Sequence, residues 1–123
     1  MTNPIDAKRA LLEDVATDVS AWASKKPGPH GLEATRFVGM AHEVLDLFAR
    51  TGSPIHIETA TGLVGMALAY RSVTKTLPLK FAILKAREWL KGELAETAKA
   101  AQEAANPKAW SEPPDRLDEQ ETA

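Results

Sequence analysis

The side chains best suited to chemistry in this 123-residue chain are His30, His42 and His56, and each stands on a different segment. His42 and Asp46 are four apart, which places both on one face of a helix and could offer a metal two ligands. The run HEVLD, however, holds aspartate where a zinc-protease helix needs its second histidine. The pair is therefore expected to be a solvated polar face. His56 suits a capping or half-buried role. No nucleophile elbow, phosphate loop or dinucleotide fingerprint occurs. The glycines of PGPHG follow no strand, so that stretch reads as a turn. Neighbouring carboxylates such as Glu13 and Asp14 fall on an exposed face. Zero cysteines exclude disulfides, thiolate metal sites and cysteine nucleophiles. The expectation is no catalytic residue, no metal and no cofactor.

Charge distribution says more than the net charge of −2. No acidic residue lies between Glu58 and Glu88, while Arg71, Lys75, Lys80, Lys85 and Arg87 all fall in that gap. With Lys91 they form a candidate anion or nucleic-acid contact. On a helix Lys80, Arg87 and Lys91 lie within about 40° of one another, a stripe beside the apolar face. The ordinary explanation is a solvated face whose counter-charges come from other helices or from the chain's own acidic end, and it is the one expected here. Phe81 and Leu84 lie on the outer side of the same helix. Exposed beside the basic stripe they would mark a contact surface; a helix covered on both sides would account for them equally. Trp110, alone among acids and prolines, is either a fold-back anchor or a short linear binding element.

Four helices are expected to position these groups, over about 4–25, 32–51, 54–75 and 79–105. Asn3, Pro4 and Asp6 supply N-cap, first helical residue and first-turn acid for the first. Its apolar face runs through Leu12, Val15, Ala16, Val19 and Trp22. The second presents Phe37, Val38, Met40, Ala41, Val44, Leu45, Leu47 and Phe48 on a wide apolar face. Gly52 then closes it, and Ser53-Pro54 caps and starts the third. The third is the organising element: it is apolar nearly all round, with Gly62, Gly65, Ala69 and Ser72 as a small-residue stripe where a neighbouring backbone should come close. Ile55-His56-Ile57 could instead be a short extended piece, but no second strand exists to pair with it. The fourth is amphipathic through Leu79, Ala82, Ile83, Ala86, Trp89, Leu90 and Leu94, then alanine-rich beyond Gly92, a candidate kink.

Residues 106–123 carry two basic and five acidic residues and three prolines. They are expected to be a flexible, disordered acidic tail, since they can bury too little to offset ordering entropy. The whole is thus expected to be all-α: a four-helix bundle-like domain over residues 1–105 followed by that tail. Apolar content of 44% and charged content of 26% are ordinary for a soluble protein. No signal peptide or membrane span is visible, so a cytoplasmic location is expected, and the alanine-rich texture suggests a bacterial or phage source.

These features favour a small non-catalytic protein that binds a protein partner or itself, as adaptor, assembly component or inhibitor. Candidate contacts are Lys80, Phe81, Leu84, Arg87, Lys91 and Trp110. The alternative is a nucleic-acid-binding protein using the basic stretch. A helix-turn-helix made by helices two and three fits poorly, because the body of the third lacks a polar face. An enzyme whose site assembles between helices is the third possibility.

Overall fold

The computed structural model describes residues 3–104, and Trp110 and the acidic tail lie outside them. Four helices follow in chain order: α1 (Pro4–Ala23), α2 (Pro29–Thr51), α3 (Pro54–Ser72) and α4 (Leu79–Ala104). Among the described residues there is no strand, and Ile55 to Ile57 are helical. The fold is all-α, as the periodicity requires.

Local chemistry sets most boundaries. Asn3 Oδ1 accepts from the Asp6 N–H at 2.8 Å, the N-cap bond that fixes the start of α1. Gly52 takes the left-handed conformation (φ 71°) that closes α2, and its N–H reaches the Phe48 carbonyl at 2.7 Å. Ser53 occupies the N-cap position of α3 without making a side-chain capping bond. Pro54 alone supplies the start signal there.

Three boundaries differ from expectation. Ser24 ends α1 early: its hydroxyl donates to the Ala21 carbonyl, and Lys25 and Lys26 continue as a turn. Helix α2 begins at Pro29, three residues sooner than expected, because proline at the first helical position needs no hydrogen-bond partner. Helix α3 stops at Ser72. Val73 is extended, and Thr74 and Leu77 exchange backbone bonds of 3.0 and 3.3 Å across a tight turn into Pro78. Gly92 interrupts nothing, as α4 is a single helix through it.

Antiparallel order follows from the contacts. His30 and Phe37, early in α2, meet Tyr70 near the end of α3, with ring centroids 5.8 and 6.0 Å apart. Glu58 and Gly62 line one groove with Leu94 and Ala95, whereas Leu68 and Ser72 line a recess with Ala86. The helices therefore run up-down-up-down. Both α1 and α3 touch all three other helices, while α2 and α4 do not touch one another among the described residues. The α1–α3 diagonal is thus the short one, as expected where small residues line a contact. Ala16 of α1 and Ala60, Ala67 and Ala69 of α3 are completely buried. Among the described residues alanine supplies nine of the twenty buried apolar side chains, so the core gains closeness at the expense of buried area per residue.

The central role expected of α3 stands, for it buries more residues than any other helix. The expected backbone crossing at Gly65 does not. Gly65 is buried, but its cover is a side chain: a Cβ placed there would lie 3.6 Å from Arg87 Cγ. Gly62 is exposed, with open space around it. The close approach occurs elsewhere, at Gly31, where a Cβ would collide with the Lys26 carbonyl oxygen and crowd that of Ala23. The connector between α1 and α2 folds back against the first turn of α2, and only glycine fits beneath it.

Candidate interaction surface

Helix α4 turns one side to the core and leaves the other bare. Ala82, Ala86, Leu90 and Leu94 are buried, a spacing of four that holds them on one stripe. Phe81 and Leu84 point away from it and are 52% and 55% exposed. Trp89, which periodicity assigns to the inner face, is 48% exposed. It sits at the edge of the apolar arc, where one side of the indole lines a shallow recess with Leu68, Leu77 and Arg71 while the other meets solvent. Met40 and Leu47 of α2 are likewise exposed rather than internal. They lie on a different helix, one that does not touch α4.

The cations surround this apolar group. Lys80, Lys85, Arg87 and Lys91 are all exposed on α4, and Arg71 and Lys75 are exposed at the end of α3 and in the turn after it. Lys80 Nζ stands 5.9 Å from the centre of the Phe81 ring, within cation–π range. Lys85, Arg87 and Lys91 border a depression with Leu84 and Glu88. Arg71 and Lys85 border the recess beneath Trp89. Among the described residues, ion pairs join Arg9 to Glu13 and Arg36 to Glu33, both on other helices. None of the six cations has a carboxylate within pairing distance there. Of the counter-charges that other helices could supply, the ordinary explanation for a basic stripe, Glu58 of α3 borders the groove that Arg87 and Lys91 line without pairing with either among the described residues.

Three residues named from sequence, Phe81, Leu84 and Lys80, thus share one outward face with Arg87 and Lys91. Trp89, which periodicity does not mark as exposed, lies on the flank of this face toward the end of α3, and Lys85 borders both its recess and the depression at Leu84. Lys75 lies apart from the cluster in the α3–α4 turn.

The histidines do not gather. His42 and Asp46 both project from the exposed side of α2, and His30 and His56 lie near opposite ends of the bundle. Among the described residues no three His, Asp or Glu side chains converge on a point that could hold a metal. No helix there is long and apolar enough to cross a membrane. Comparison with known protein families, with curated proteins and with solved structures finds no match.

Proposed function

We propose that this chain is a small non-catalytic interaction protein, acting as an adaptor, assembly component or inhibitor in the cytoplasm, and that it binds an acidic protein partner through the outer face of α4. One observation carries the proposal: Phe81, Leu84 and Trp89 are about half exposed on a single helix, amid cations that lack carboxylate partners among the described residues. Large apolar side chains grouped at a surface and rimmed by charge are what a protein contact uses. The charge selects the partner. Lys80, Lys85, Arg87 and Lys91 outnumber the one acid among them, Glu88, so a complementary surface is acidic. Self-association through this face would set like charges against each other and is disfavoured.

Nucleic acid is the second ligand class, supported by the same unpaired cations. A double change of Phe81 and Leu84 to Ser separates the two. Apolar contacts dominate protein binding, so the double variant should lose its co-purifying partner while its helical circular dichroism is kept. Phosphate binding would survive the substitution and weaken steeply with salt through counterion release. Retention of the partner by the folded double variant would refute the α4 face.

A further inference from the structure

A second surface adjoins the first. A groove of about 470 Å³ lies between the early part of α1, the start of α3 and the middle of α4. Lys8, Arg87 and Lys91 line it against a single carboxylate, Glu58, and none of the four makes an ion pair among the described residues. The rest of its lining is mainly small or apolar. Leu94 and Ala95 flank Gly62, where a Cβ would meet nothing within 4 Å. A side chain at position 62 would project into this open space.

We propose that the groove is the docking site for the chain's own residues 106–123, with the Trp110 indole seated over Gly62 and Leu94 and the following acids laid against Lys91, Arg87 and Lys8. Charge is the first argument: the segment has five acids and two bases, and the groove has three cations and one acid. Reach is the second, and it selects the groove over the outer face of α4. Leu94 lies ten residues before Ala104, about 15 Å back along the helix at its rise per residue. The six residues from Ala104 to Trp110 span at most about 20 Å. The indole therefore reaches Leu94, whereas Leu84, about 30 Å back, is beyond it. Glu112 and Asp115, farther along the chain, extend to Lys91 and Arg87. A second copy is a poorer occupant, since it would bring its own cations. Exposed ion pairs are weak and screened by salt, but a short tether holds the segment at an effective concentration of about millimolar.

The test uses the full chain, whose lack of cysteine makes a single nitroxide label at Ser111→Cys clean. At low salt the amides of Thr61, Gly62, Lys91 and Ala95 should lose most of their NMR intensity to the label. High salt, Trp110→Ala and Gly62→Leu should each restore it. Gly62→Leu projects into the groove from an exposed helical position and so leaves the fold intact. Phe81→Ser with Leu84→Ser should change nothing, which keeps this proposal separate from the partner-binding face. Broadening confined to the end of α4, or unchanged in Gly62→Leu, would overturn the docking. So would broadening that appears only between labelled and isotope-enriched copies mixed together, because the contact would then be intermolecular.

Discussion

The stem of Arg87 covers Gly65: a Cβ built on the glycine would stand 3.6 Å from Arg87 Cγ, an ordinary van der Waals distance. The most buried helix is thus roofed at this point by an arginine whose charged end remains in water. One residue serves packing through its methylenes and the basic surface through its guanidinium.

Gly65→Ala is consequently expected to be tolerated, and to stabilise by up to about 1 kcal/mol through helix propensity. Gly65→Leu must push Arg87 aside and should lose about 1–3 kcal/mol to overpacking. Chemical denaturation of both variants checks the pair. A large loss in the alanine variant would restore the backbone crossing that the small-residue stripe suggests.

Gly31 should behave in the opposite way. A Cβ there meets the Lys26 carbonyl, and the fold-back of the connector leaves that oxygen little freedom. Gly31→Ala is expected to destabilise by about 1–3 kcal/mol. Gly39→Ala, also within α2 but facing open space, should be neutral or stabilising. Melting temperatures of the two variants should move in different directions.

Much of the fold was legible because its signals are local. Asn3-Pro4, Gly52 and Pro54 each fix a helix end within a residue or two of themselves. Helix α2 starts earlier than its apolar periodicity because its first turn packs glycine, not a large side chain, against the preceding connector. A helical projection places Trp89 inward because it cannot say how wide an arc the neighbours cover. Among the described residues α2 is out of contact with α4, which is covered there by α1 and α3, so the arc is narrow and the indole straddles its edge. The groove at Gly62 was not legible at all. It is made by three helices together, and no local pattern records their spacing.

Core truncation should reveal how thin this alanine-rich interior is. Leu12 and Leu90 are both completely buried. Leu90→Ala is expected to cost about 2–5 kcal/mol, a large share of a small domain's stability. Loss of cooperative thermal unfolding in Leu90→Ala would fit; an unchanged transition would contradict the packing described.

The exposed face of α4 should be nearly silent in stability. Phe81→Ser and Leu84→Ser, singly or together, are expected to shift unfolding free energy by no more than about 0.5 kcal/mol each, as for other surface changes. Unfolding of the double variant would make those residues core and remove the surface.

The outer face of α4 is the proposed partner contact, and site-specific photo-crosslinking addresses it directly. A photoreactive phenylalanine analogue at position 81 or 84 is expected to trap one partner, through a segment rich in Asp and Glu. The same analogue at Asp14, exposed on α1, should trap none. Crosslinks at Asp14 but not at 81 or 84, or equal yields at all three, would contradict the assignment of the interaction surface to α4.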